Sequence, residues 1–264
     1  MNTNKISYWI AGGVLALSML ACNLGNSPAP AAPLPPQDST SATEAPADNS
    51  STSSSGACAN PYMPIITGVS WSYKLTGPVP DTFTRSVTAV EAGGFADQEV
   101  FGSGIIRQSK WTCDNGNLIA VNPADGGSST LNTEDYSVDF QTTASSGVTL
   151  PSRVNAGDAW EQTLTLEGTQ TMNETVIPTK NQFTNTCKAI GIESVTVEAG
   201  TFDAMKVECL TVMDITITMN DNPIQQNLTL NNVHWYAENI GLVKTTTTGG
   251  GLDSMIELTT YSIP

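Results

Sequence analysis

The sequence predicts an all-β protein: an antiparallel meander of about a dozen strands, forming a strongly curved sheet that is either an open barrel or a sandwich, after a disordered linker. Two observations carry this reading. Apolar residues beyond position 57 recur with period two, the spacing that buries one face of a strand. Turn-forming clusters interrupt them at Gly93-Gly94, Asp114-Asn115-Gly116-Asn117, Asp125-Gly126-Gly127, Ala199-Gly200, Asn220-Asp221-Asn222-Pro223 and Thr248-Gly249-Gly250-Gly251. A third observation is negative: no ten-residue stretch there carries a helical stripe.

The chain opens with an address. Lys5 precedes an apolar run from Ile6 to Leu20, too short to span a bilayer comfortably, which takes about 20 apolar residues. It fits the centre of an export signal occupying residues 1–21. The run ends Met19-Leu20-Ala21-Cys22. Ala21 and Cys22 resemble the bacterial lipoprotein signal, in which a small residue precedes the Cys that receives lipid. Met19 and Leu20 depart from its commonest form. Cys22 is therefore the expected lipidation site, and residues 22–56 the tether. That segment holds six prolines among Ala, Ser and Thr and has no aromatic or basic residue. Such a composition buries too little apolar surface to offset chain entropy.

Charge narrows the partners. The full chain has 10 basic residues, 25 acidic ones and one His, for a net charge of −15. Nucleic acid is excluded, because phosphate binding needs clustered Lys and Arg. An anionic membrane repels such a surface, so the lipid on Cys22 must do the anchoring. The expected location is outside the cytoplasm, on a bacterial membrane.

Residues 57–264 form the β domain and hold Cys58, Cys113, Cys187 and Cys209. An even number of cysteines in an exported domain reads as two disulfides. Three pairings are open. Cys58–Cys113 with Cys187–Cys209 is favoured, because each bridge then stays within one half of the domain. A metal site is disfavoured by the lack of any Cys-x-x-Cys spacing and by the single imidazole. No cofactor is expected. For Cys187–Cys209, a turn centred on Ala199-Gly200 puts Cys209 opposite position 190. Two irregularities between Lys188 and Ser194 are then needed to bring the pair together.

The alternation is clearest from Met205 to Met219, where the odd positions are apolar at all but Thr211. This predicts a long, bent strand with Cys209 buried. Trp71, Tyr73 and Leu75 form one inner face, and Tyr136, Val138 and Phe140 another. Parity switches predict bulges at Asn231-Asn232, between Leu228/Leu230 and Val233/Trp235, and between Ile190/Ile192 and Val195/Val197. An internal echo links two strand openings, Gly68-Val69-Ser70-Trp71 and Gly157-Asp158-Ala159-Trp160. In each, the Gly permits a tight approach and the Trp fills an end of the core.

Three segments carry a family resemblance. They are Gly68-Val69-Ser70-Trp71-Ser72-Tyr73, Val195-Thr196-Val197-Glu198-Ala199-Gly200-Thr201-Phe202 and Trp235-Tyr236-Ala237-Glu238-Asn239-Ile240-Gly241-Leu242-Val243-Lys244. Their order resembles a family of bacterial all-β lipoproteins of unknown function, the TapB-like proteins. Glu198 stands where that family has Pro, and Asn239-Ile240 where it has Gly-Val. The resemblance implies the fold and an envelope location, and no catalytic residue.

The remaining chemical candidates read as structure. His234 is placed by parity on the polar strand face, opposite Val233 and Trp235, and no Gly-x-Ser-x-Gly elbow accompanies it. Glu134, Asp135 and Asp139 are neighbours of the kind that 25 acids produce. Asn122 to Gly127 lacks the spacing of a calcium loop. Met205, Met213 and Met219 suit either a core or an adaptable lining for an apolar ligand in the concave face. The function expected is a lipid-anchored envelope domain without enzymatic activity that binds a protein, a polysaccharide or an apolar molecule. A hydrolase of envelope polymers is the rival class.

Overall fold

Strands follow the alternation almost from end to end. The computed structural model describes residues 56–122, 131–132, 136–172, 174–219 and 222–264. Cys22, the leader, the linker as far as residue 55, Glu134, Asp135 and the stretch 123–130 lie outside the described residues. The strands are β1 (Ser70–Thr76), β2 (Asp81–Glu91), β3 (Gly94–Phe101), β4 (Ile106–Asp114), β5 (Asn117–Asn122), β6 (Leu131–Asn132), β7 (Tyr136–Gly147), β8 (Ala159–Met172), β9 (Thr175–Val197), β10 (Gly200–Met219), β11 (Asn222–Ala237), β12 (Gly241–Thr248) and β13 (Ser254–Ser262). No helix occurs among the described residues.

All thirteen strands belong to one antiparallel sheet. Each pairs with its neighbours in the chain, except that β5 and β6 do not pair, while the first strand pairs with the last. The meander thus closes on itself as a nearly complete barrel with one seam, which lies mid-sequence on the free side of β5. A lone bridge, Leu118 with Leu150, crosses it. Side chains satisfy the rest of that edge. Thr149 Oγ1 accepts from the Ala120 N–H at 2.8 Å and donates to Gln162 Oε1 at 2.7 Å. Gln162 Nε2 returns to the Ala120 carbonyl at 3.2 Å, and Thr142 Oγ1 donates to the Val121 carbonyl.

Six of the pairings carry a register shift, each of which adds local bend and twist. One sits at Ile190, and it revises the predicted route to the second disulfide. The β9–β10 turn is two residues, Glu198 and Ala199, so Val197 faces Gly200. One extra residue, Ile190, then sets Cys187 directly opposite Cys209. One irregularity suffices where two were expected. Ile190 and Ile192 are 43% and 68% exposed and lie outside the core. The bulge expected at Asn231-Asn232 is absent: the β10–β11 ladder is unbroken from Ala204–Ala237 to Met219–Asn222. The reason is that Val233 and Trp235 are apolar residues on the outer face. His234 accordingly shares the inner parity with Leu230 and Tyr236, opposite to the sequence expectation.

The chain ahead of β1 fills one end of the barrel. Cys58, Tyr62, Met63 and Ile65 are buried in the same core as Trp71, Leu118, Val207 and Leu258. Cys58 is bonded to Cys113 of β4, and Cys187 to Cys209. Asn60 Nδ2 donates to the Gly116 carbonyl (2.8 Å) and the Pro151 carbonyl (3.0 Å), so this plug also clasps the two sides of the seam. Gly116 has φ +83°, and a Cβ there would collide with the Ala59 carbonyl.

The predicted strand from Met205 to Met219 is the inner part of β10, with Met205, Val207, Cys209, Met213, Ile215 and Ile217 buried. The Cys187–Cys209 bridge closes a loop with a sequence separation of 22, worth about 3 kcal/mol by chain entropy. Cys209→Ala should therefore lower the melting temperature by about 6–12 °C. It should also expose Cys187 to thiol reagents on partial unfolding. Calorimetry and alkylation mass spectrometry measure the two effects.

Candidate functional site

Two strand openings brace the closed end in the same way. Gly68 (φ +89°) donates its N–H to the Val87 carbonyl, and Val87 N–H returns to the Val69 carbonyl. Gly157 (φ +94°) donates to the Ala189 carbonyl, and Ala189 N–H returns to the Asp158 carbonyl. Each Trp that follows ties down a neighbouring loop. Trp71 Nε1 donates to the Ile240 carbonyl at 2.6 Å, and Trp160 Nε1 to the Thr149 carbonyl at 3.2 Å. The sequence echo is thus a structural equivalence, used once on either side of the barrel.

The interior holds a charged cluster. Arg85 of β2 reaches Asp97 of β3 through both Nε, at 2.7 Å, and Nη2. Asp97 is 1% exposed. Glu99 is buried beside them, in register with Arg85. Burial opposes the Arg85 charge, but the carboxylates of Asp97 and Glu99 outweigh it and hold the guanidinium above its usual range. Tyr73 donates to the Leu242 carbonyl at 2.9 Å and stacks on Phe83, which stacks on Phe101. Burial pushes its phenol well above the ordinary range, against the pull of Arg85.

Outside, a row of side chains crosses five strands in register: Lys206, Trp235, Lys244, Glu257 and Lys74. Lys206 and Lys244 flank the Trp235 ring at 5.8 and 6.0 Å, and Trp235 Nε1 donates to Glu193. Lys206 also pairs with Glu193 (3.9 Å) and Glu208 (3.7 Å), and Lys244 with Glu257 (2.9 Å). Glu193 and Glu208 beside the row, together with Glu257 within it, offset its three lysines.

A cleft of about 430 Å³ lies at the closed end, between the plug, the β9–β10 hairpin and the β11–β12 turn. Burial grades across it. Tyr62 and Met205 are buried, Phe202, Tyr236 and Ile240 half-buried, and Ile192, Asp203 and Glu238 exposed. The Tyr62 ring meets Tyr236 edge-on at 6.5 Å. Its hydroxyl is held above the ordinary pKa by burial and then by the charge of Glu238.

The residues singled out in the sequence are dispersed. His234 Nδ1 lies 3.0 Å from Thr245 Oγ1, with its ring 5.9 Å from Tyr236. Asp139 is exposed on β7. Met213 is buried at 7% exposure, and Met205 alone of the three methionines reaches the cleft. Among the described residues no group of three or more His, Cys, Asp or Glu side chains is placed to hold a metal ion. The Arg85–Asp97 pair and the cleft were not anticipated. The pair was detectable in principle, because Arg85 and Asp97 occupy the same parity as Phe83, Val87 and Phe95.

The DUF3108-like family model matches residues 104–253, and the chain belongs to that family. No curated protein matches it. Among solved structures, a Bacteroides fragilis protein with a YmcC-like fold, assigned as exported, is 16% identical over 76% of this chain and 99% of its own, with a TM-score of 0.49. A Parabacteroides distasonis protein assigned as a lipoprotein is 19% identical over 77% and 99%, with a TM-score of 0.47. The hypothetical lipoprotein YmcC of Escherichia coli is 10% identical over 75% and 86%, with a TM-score of 0.35.

Two predictions concern the interior. Asp97→Asn should cost about 3 kcal/mol by removing the carboxylate that Arg85 hydrogen-bonds, and the triple variant Arg85→Met, Asp97→Leu and Glu99→Leu should recover most of it; urea titration measures both. Tyr73 keeps its proton in the folded state above its ordinary pKa of 10.0. Above about pH 10 the unfolded chain ionises at this position and the folded chain does not, so stability falls as pH rises from there. Tyr73→Phe should flatten that alkaline decline, read from the slope of the urea midpoint between about pH 9 and 11.

Proposed function

We propose that the chain is a lipid-anchored module of the bacterial cell envelope that performs no chemistry of its own and binds an envelope partner. The observation that carries this reading is the contrast between its interior and its closed end. The interior is occupied by packed side chains, with Leu118, Leu166, Val243 and Leu258 fully buried. At the closed end, apolar and aromatic side chains remain open to solvent in the cleft. A rigid, covalently pinned body with one exposed apolar cleft is suited to presenting a surface. A carrier of apolar ligands would instead use Met213 and its neighbours as a lining, and these are committed to the core.

The signal ending in Ala21-Cys22 and the Pro-rich segment after it support the anchor. The TapB-like resemblance of the strand openings and turns supports an envelope role of the same kind.

Cys22→Ser should move the full chain from the membrane fraction to the soluble exported fraction. Immunoblotting of fractionated cells reads this directly, and a variant that stays with the membrane rules out the lipid anchor.

A further inference from the structure

We infer that the free edge of β9 from Ile192 to Thr196 pairs with the same edge of a second copy of this chain, antiparallel and about a two-fold axis at Ser194. The inference stands apart from whatever occupies the cleft.

The register isolates this edge. The β8–β9 ladder ends with Ala159 opposite Lys188. Ala189 still exchanges hydrogen bonds with Gly157 and Asp158 on that side. From Ile190 onward β9 keeps one neighbour, β10, as far as the pair Val197–Gly200. Main-chain groups alternate in direction along a strand. Those of Ala189 point toward β8, and the extra residue Ile190 shifts the alternation by one, so those of Ile192, Ser194 and Thr196 point away from β10. The two-residue turn gives the same answer from the other end. Val197 closes the hairpin against Gly200, so Val195 and Glu193 also direct their groups to β10. Among the described residues no backbone group meets Ile192, Ser194 or Thr196 on the outer side. All three residues are exposed.

Beyond the bulge at Ile190, the edge carries none of the devices that keep sheet edges apart. Ile190 to Val197 holds five β-branched residues, no Pro and no Lys. Ile192, 68% exposed, is the most open large apolar side chain among the described residues. Its register partner Met205 is buried, so the exposure comes from the missing neighbour on the other side.

An alternating row of donors and acceptors fits an extended polypeptide strand. Pairing about Ser194 sets Ser194 against the second copy's Ser194, and Ile192 against the second copy's Thr196. Every such pair joins residues whose main-chain groups face each other, so each exchanges two hydrogen bonds. Between them Glu193 meets the second copy's Val195, and no like charges lie directly opposite. Glu193 is the one charged residue from Ile190 to Val197, and Trp235 Nε1 and Lys206 already hold its carboxylate. This two-fold match, the commonest form of association between identical chains, favours a second copy over a foreign strand. The net charge of −15 opposes the approach, and salt screens that repulsion beyond about 8 Å at physiological ionic strength.

The test is sedimentation velocity on the full chain with Cys22→Ser, which also excludes a dimer bridged through Cys22. A reversible monomer–dimer equilibrium should appear and strengthen as salt rises from about 20 to 200 mM. Hydrogen exchange, resolved by residue at low and high protein concentration, supplies the fingerprint. The amides of Ile192, Ser194 and Thr196 should gain protection with concentration, while those of Glu193 and Val195, directed to β10, should not change. Ser194→Pro removes an outward N–H at the axis and no bond to β10, and should weaken association by about tenfold or more. Ile192→Lys should weaken it likewise with the melting temperature nearly unchanged, which covers a Ser194→Pro chain that fails to fold. A chain that stays monomeric up to about 1 mM, or a dimer indifferent to both substitutions, overturns the inference. So does a dimer that weakens with added salt, since charged contacts would then hold it. If the chain stays monomeric and the free peptide Gly191–Val197 protects the three amides, the edge takes a strand of another protein, and the second copy is overturned as its occupant.

Discussion

Closing a sheet on itself leaves no room for an unsatisfied edge, and this chain meets that constraint at one place only. Twelve backbone ladders link the strands around the barrel, six of them with a register shift. At the seam beside β5 the backbone makes the Leu118–Leu150 bridge, and Thr149, Gln162 and Thr142 supply the other donors and acceptors. Every buried polar group left unmade there would cost about 1–3 kcal/mol. The plug follows from the same need. Asn60 spans the seam between Gly116 and Pro151, and Cys58–Cys113 fixes Asn60 in position. The Gly-x-x-Trp openings then brace the strands on either side of that closed end.

Much of this was legible because period two survives where one face is buried. The inner positions of β10 were readable residue by residue from Met205 to Met219, and so were the hairpin turns at Ala199-Gly200 and Asn239-Gly241. The failures share a cause. Alternation treats apolar residues as inward and charged residues as outward. Trp235 lies outside because Lys206 and Lys244 cover its ring and Glu193 takes its N–H. Reading it as inward produced a bulge at Asn231-Asn232 that does not exist and placed His234 on the wrong face. Arg85 and Asp97 lie inside because each neutralises the other. No single-residue property announces either exchange, since both depend on partners brought together by register.

The cleft belongs to the same class of features. Ile192, Phe202, Tyr236 and Glu238 come from two hairpins, and only the one-residue bulge at Ile190 and the two-residue turn before Gly200 set their relative height. A sequence reading that misplaces the register by one residue loses the pairing of Ile192 with Met205. The local alternation that specifies the barrel is indifferent to which residues meet at its rim.

The pairing of β1 with β13 sets Ser70 opposite Ser262, and Pro264 ends against Gly68. The barrel is therefore a ring of hairpins in which the two ends of the domain already touch. In evolutionary and engineering terms such a ring has no privileged first strand. A short peptide joining Pro264 to the plug would close a loop of little entropy, and new ends opened between β5 and β6 would separate two consecutive strands that do not pair.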